Sequence, residues 1–301
     1  MDYSDARQAF FAPRPGEARP LAWDSPARRL RDAIEPLAGI CYWSEPAYDA
    51  LAARGLDFLS GYVWGRGSQL GGASAPVVAA AFGVFEPGLV TGVYADGRSR
   101  CSLEDVRAAR LEGASAALTA ACGEPTDEVT HVADRLLAAV GDLPLAGRPF
   151  FAGLTDLEVP ADPWARLWHA CSMAREHRGD AHLAACVAAG LDGVQANLLT
   201  EAWVGWEAEA YAGSRGWSPE AMAAGREALE QCGLLGADGA LTDEGRRFRE
   251  QLETATDTAE APLVAALGDD LDGLVATCEG WAASVLGAGW FPPDPYKRAA
   301  G

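Results

Sequence analysis

Apolar residues recur every three to four positions along most of the chain, and the stretches that carry them are separated by glycine and proline. The pattern predicts helices over 51–59, 75–85, 103–121 and 129–140, with breaks at Gly71-Gly72, Glu86-Pro87-Gly88 and Gly123-Glu124-Pro125. Ser25-Pro26 supplies an N-cap and a proline at the first helical position, ahead of a 3.6-residue apolar period running through Ile34. Residues 1–25 hold Pro13, Pro15, Gly16 and Pro20 among polar residues and are expected to form an arm without helix. A second proline- and glycine-rich stretch, 142–162, is expected to connect an N-terminal helical domain (26–141) to a C-terminal domain (163–290) that precedes a tail at 291–301.

In the second half, Asp162-Pro163 opens a helix through Trp164, Trp168 and His169 toward Arg175, and shorter helices are expected over 181–189 and 192–203. Ser218-Pro219-Glu220 starts another helix, which ends at Cys232-Gly233. Leu234 to Leu241 then reads as two very short strands about Asp238-Gly239, and Thr242 caps a long helix. Helix, two-stranded wing, helix is the order of a winged helix of the MarR type. The expected fold is therefore mainly α, a helical bundle with one MarR-like winged-helix unit.

Such units ordinarily bind DNA, and the charge here opposes that use. Lys and Arg number 24 against 43 Asp and Glu, a net charge of -19, so the overall field repels nucleic acid and anionic membrane surfaces. Residues 200–255 hold five arginines and eleven acids, and the helix that would enter a major groove offers Glu220, Glu227 and Glu230 against Arg226 alone. Seven scattered cysteines without a CxxC pair fit reduced thiols, and no apolar run approaches a membrane span, so a cytoplasmic protein is expected.

At Leu167-Trp168-His169 and from Arg175 through Asp180 to His182, followed by VAAGLDGVQANLL, the chain resembles a family of actinobacterial helix-turn-helix proteins, MarR-like and often encoded in natural-product gene clusters. The likeness covers roughly 25–265 through EPL at 35–37, GYVWGR at 61–66, GRPFFA at 147–152 and SRGWSPE at 214–220. It implies the fold more firmly than an activity. Two positions depart from the family pattern: Ala38 replaces a histidine after EPL, and Glu86 stands where the family carries the histidine of FHP.

Three of the four histidines, His169, His177 and His182, fall within fourteen residues beside Glu176, Arg178 and Asp180. On a continuous helix His177 and Asp180 share a face, so the carboxylate can orient the imidazole for acid–base work. His182 joins them only if Gly179 breaks the helix. The alternative is a satisfied polar knot that pins the helix to the bundle. The spacing matches no zinc motif, so no metal is expected. Gly61 to Gly67 lacks the ending of a phosphate loop, and among the cysteines only Cys171, near His169, has a neighbouring base in sequence. Tyr42, Trp43, Tyr48, Tyr62, Trp64, Phe82 and Phe85, with Trp203, Trp206, Tyr211 and Trp217 later, either wall a pocket or fill the core. Glu86, at a helix break among aromatics, is expected to face the pocket with a raised pKa.

The expectation is a winged-helix protein of specialised metabolism that has exchanged DNA for a small aromatic or polycyclic ligand. It would sequester that ligand, or transform it without a cofactor by acid–base chemistry of the cyclase, isomerase or dehydratase kind. Glu86, His177 and Asp180 are the candidate proton carriers, and Tyr42, Trp43, Tyr62, Arg66, Phe85, Arg178 and His182 the candidate ligand contacts. The rival is a ligand-responsive transcription regulator, a homodimer touching DNA through Arg246, Arg247 and Arg249.

Overall fold

The structure is a computed structural model, and it describes residues 3–10 and 24–294. The predicted helix starts are capped. Ser25 accepts the N–H of Arg28 (3.0 Å), Asp162 that of Ala165 (2.8 Å), Ser218 that of Ala221 (3.2 Å) and Thr242 that of Gly245 (2.9 Å). Each satisfies a first-turn donor that would otherwise be orphaned.

The N-terminal elements are α1 (Tyr3–Phe10), α2 (Pro26–Trp43), α3 (Glu45–Ala52), α4 (Phe58–Gly67), α5 (Ala75–Phe82), α6 (Pro87–Arg100), α7 (Leu103–Cys122) and α8 (Asp127–Val140). Helix α1 corrects the expectation of an arm without helix over 1–25: the prolines that argued against one start at Pro13, beyond its end. Residues 11–23 lie outside the described residues. The helix expected over 51–59 is instead the end of α3, a turn with Gly55 at φ 79°, and the start of α4. Helix α6 occupies a stretch for which no helix was expected; Glu86 and Pro87 begin it rather than end its predecessor.

The second half comprises α9 (Pro149–Thr155), α10 (Pro163–Ala188), α11 (Gly193–Val204), α12 (Ala210–Ser214), α13 (Pro219–Gln231), α14 (Asp243–Ala259), α15 (Ala261–Leu267) and α16 (Leu271–Gly287). Helix α10 runs 26 residues without a break at Gly179, so the helix expected from Pro163 toward Arg175 and the shorter one expected over 181–189 are one. It is the spine of the molecule, packing on α2, α7, α8, α9 and α14. The largest core is drawn from both ends of the chain, with Leu37, Ile40, Leu118 and Leu136 packed with Leu167, Leu274, Cys278 and Val285. The stretch at 142–162 therefore does not divide two cores. It contains α9, whose Phe150 and Phe151 are fully buried.

A second core fills the space among α3 to α7 around Trp64 and Tyr94, and a third joins α11, α13 and α14. Between α13 and α14 the expected two-stranded wing is absent among the described residues. One antiparallel bridge, Leu235 to Leu241, closes a turn in which Gly239 has φ 76° and the Asp238 carboxylate accepts the N–H of Ala240. The reason is length. Leu235 and Leu241 are both buried in the third core, and the chain enters α14 at once beyond Leu241, so no residues remain to extend a ladder.

Candidate functional site

The third core meets the rest of the molecule across a cavity of about 210 Å³. Its wall is built from α2, α4, the α5–α6 turn, α10, α11, α12 and α14, elements that start more than two hundred residues apart. Six arginines line it, Arg28, Arg31, Arg66, Arg175, Arg178 and Arg249, with Glu35, Asp180 and Glu253 as the acids. Phe82, Phe85, Trp203, Trp206 and Tyr211 supply aromatic surface. In a chain of net charge -19, this gathering of guanidinium groups is the reverse of the average.

Regular helix spacing delivers the arginines. Arg28, Arg31 and Glu35 lie on one face of α2; Arg175, Arg178, His182 and Cys186 form a stripe along α10; Arg249 and Glu253 are one turn apart on α14. Carboxylates brace the groups. Glu176 accepts from Arg66 Nε (3.0 Å) and Nη2 (2.8 Å), and Arg175 reaches Glu35 (2.9 Å) and Glu176 (3.4 Å). Arg178 contacts Glu253 (3.4 Å) and Asp257 (3.3 Å), and Arg249 contacts Glu253 (2.9 Å). Arg66 lies 4.2 Å from the Phe150 ring centroid and 5.0 Å from that of Phe82, and Arg249 lies over Trp203.

The braces do not saturate the arginines. Arg249 is 5% exposed, yet its Nε and Nη1 have no hydrogen-bond partner, and neither has Arg178 Nε. Cations crowd here: burial, then the Arg31 charge, push the Arg178 pKa down. Glu253 is held down at about 2, against the upward push of burial, by Arg249, His182, Arg178 and Arg28. Burial and the Arg249 charge push His182 down to about 4, so its imidazole is neutral. Asp180 behaves oppositely, because burial lifts its carboxyl to about 7 against the hydrogen bond it accepts from Phe151 N–H (3.0 Å).

Of the ten candidate proton carriers and ligand contacts, Arg66, Phe85, Arg178, Asp180 and His182 line this cavity. The others lie elsewhere. The expected His177–Asp180 pair is not formed: His177 Nδ1 bonds Glu260 Oε1 (2.6 Å) at the α14–α15 junction, while Asp180 caps the start of α9. Glu86 does not face the pocket. It is the N-cap of α6, its carboxylate accepting the N–H groups of Gly88 (2.8 Å) and Leu89 (2.5 Å). Tyr42 sits behind the cavity, its hydroxyl accepting from Arg110 (3.2 Å), and the Tyr62 ring fills the space among Tyr42, Phe82 and Phe85. Trp43 packs near Phe58, and its carbonyl accepts from Tyr3 Oη.

Sequence reading missed the cavity roles of Arg28, Arg31 and Cys186, and placed Arg249 on an outer surface. Arg249 is interior, which corrects its assignment to a DNA-contacting face; Arg246 and Arg247 are exposed, the latter paired with Glu244. The polar stripe on α10 was legible as spacing, but its partners on α2 and α14 were not. Among the described residues no single helix is long and apolar enough to cross a membrane.

The helical architecture agrees with what family comparison gives. The model of a family described as "Helix-turn-helix family" matches residues 27–292, and the chain belongs to that family. No curated protein and no solved structure matches it.

Proposed function

We propose that this helix-turn-helix protein binds a small anionic aromatic molecule in the arginine-lined cavity and does not use its helix-turn-helix unit to hold DNA. One observation carries the reading: six arginines converge on a cavity that also presents Trp203, Trp206 and Phe85. Six guanidinium groups against three lining acids leave a positive balance in the wall, which a carboxylate or phosphate would offset. The aromatic wall would take up the rings. At about 210 Å³ the cavity lies below the roughly 300 Å³ at which drug-sized sites begin, so the fitting ligand has one or two rings.

Two features support the rejection of DNA. Arg226, the cation of α13, is ion-paired with Glu209, and Glu220 and Glu227 lie on exposed positions of that helix. Asp180, with a carboxyl near 7, is the group in the cavity suited to acid–base work on a bound ligand, in keeping with a role in specialised metabolism.

The test is tryptophan fluorescence during titration with 2-naphthoate and, separately, neutral 2-naphthol. Saturable quenching by the acid, weakened at least tenfold in Arg249→Met and weak throughout for the neutral compound, is expected. Equal binding of both compounds, or steeply salt-dependent binding to duplex DNA instead, would overturn the reading.

A further inference from the structure

Cys186 on α10 lies in the wall of the same cavity, 4% exposed, and His182 lies one helical turn before it. The Cys186 Sγ is 3.7 Å from His182 Nε2. The other ring nitrogen, Nδ1, is 2.9 Å from Thr256 Oγ1 on α14. Thr256 is fully buried, and its hydroxyl donates its proton to the carbonyl of Leu252 (2.8 Å). A hydroxyl whose hydrogen is committed can only accept from the imidazole. His182 therefore carries its proton on Nδ1, and Nε2 is left as an unprotonated lone pair facing the thiol. Thiol, imidazole and hydroxyl stand in hydrogen-bonded series, the order of groups that a cysteine nucleophile served by a general base requires. Arg249 belongs to the same wall, and its charge acts on the Cys186 thiol.

We propose that Cys186 is a nucleophile for acyl transfer, with His182 as its general base and Thr256 positioning that base, acting on small aryl esters or thioesters that carry a carboxylate. The proposal rests on the cavity's taking an anionic aromatic ligand. The sulfur attacks the acyl carbon as its proton passes to His182 Nε2. The resulting oxyanion is stabilised by the positive charge of Arg249, which acts on Cys186. The bond from carbon to the leaving oxygen or sulfur then breaks, and Nε2 returns the proton to that atom, giving a phenol or thiol and an acyl-Cys186 thioester. Water, entering as second substrate, releases the carboxylic acid and restores the thiol. Burial lifts the thiol to about 11 and lowers the imidazole to about 4, so the resting pair is uncharged and the proton moves only as the carbon–sulfur bond forms.

The sequence signal is the H-x-x-x-C spacing at 182 and 186, which places both side chains on one helix face. Thr256, 74 residues away from His182, leaves no such signal.

The experiment uses the full chain, with mono-4-nitrophenyl succinate as the anionic probe and 4-nitrophenyl acetate as its neutral control, read by nitrophenolate release, intact mass and peptide mapping. Expected is one succinyl group per chain on Cys186, none in Cys186→Ala, a rate for the anionic ester well above that for the neutral one, and a loss of about 10²–10⁴-fold in His182→Gln. Thr256→Val should slow acylation and shift the His182 ¹⁵N signals away from the Nδ1–H tautomer, whereas Thr256→Ser restores both. Circular dichroism establishes that each variant is folded. Acylation confined to exposed Cys232, or acylation of Cys186 at an unchanged rate in His182→Gln, would overturn the proposal. Titration with 2-naphthoate alongside separates the two readings: binding without acylation removes the nucleophile alone, and failure of both removes the ligand as well.

Discussion

Glu176 offers the sharpest test of the charge network. Its side chain is 1% exposed and makes two hydrogen bonds to Arg66 and one contact to Arg175, so Glu176→Gln removes a charge without changing the shape of the side chain. The Arg66 charge holds the carboxyl below its ordinary range, with Arg175 adding to the effect, although burial alone would raise it. Removing one partner of a buried ion pair leaves the other charge uncompensated and costs about 3–5 kcal/mol. Arg175 keeps Glu35 at 2.9 Å, which leaves Arg66 as the deprived group and favours the lower end, about 3 kcal/mol. With an unfolding entropy of roughly 2 cal/mol/K per residue, that cost corresponds to about 5 °C in melting midpoint for a chain of this length. The exposed pair Arg54–Glu112, with side chains 25% and 59% accessible, is the control, and Glu112→Gln should cost about 0–1 kcal/mol. Thermal melting followed by circular dichroism measures both. The double variant Arg66→Met/Glu176→Leu should recover most of the loss, because an apolar pair pays no desolvation of charge. Equal midpoints for Glu176→Gln and wild type would refute the claim that this buried carboxylate compensates Arg66 in the folded protein.

His177→Ala should lower stability by about 1–3 kcal/mol by stranding the buried Glu260 carboxylate, while leaving 2-naphthoate affinity unchanged because His177 is not in the cavity wall; calorimetry and the titration read the two effects. Gly113→Ala should destabilise by about 1–3 kcal/mol, since an added Cβ would stand 2.5 Å from the Ala47 Cα and force α3 and α7 apart; denaturant unfolding checks this. The Asp180 carboxyl is lifted from 3.8 to about 7, so the folded state binds its proton more tightly than the unfolded chain. Its stabilising contribution is full below about 4 and fades as pH rises through 7, and Asp180→Asn should flatten that part of the stability profile. The same titration changes the charge in the cavity: binding of an anion should strengthen several-fold as pH falls from 8 to 6, and a pH-independent affinity would count against Asp180 facing the ligand.

Helix starts were legible because their causes are local. A serine, threonine or aspartate and the N–H three residues on are joined by the chain itself, and the four predicted helix starts at Ser25, Asp162, Ser218 and Thr242 are capped in this way. Helix ends and the wing were less so, because they depend on whether the next residues find a core. Leu235 and Leu241 do, and that anchors the turn while leaving it too short for strands. Glu86 shows the same limit from the other side, since a carboxylate at a helix break is equally suited to facing a cavity or to capping the next helix, and here two backbone N–H groups claim it.

The sequence by itself determined a helical protein, the starts of α2, α10, α13 and α14, the polar stripe along 175–186 and a net charge of -19. Only the tertiary structure decided which charges matter. Helices α2, α10 and α14 bring Arg28, Arg178 and Arg249 to one small volume, although total composition is strongly acidic, because the field within a cavity is set by the few groups in its wall and solvent screens the many acids outside. Packing likewise joined Thr256 to His182 and separated His177 from Asp180. Spacing along a helix shows which residues share a face; it does not show which neighbouring element that face will meet.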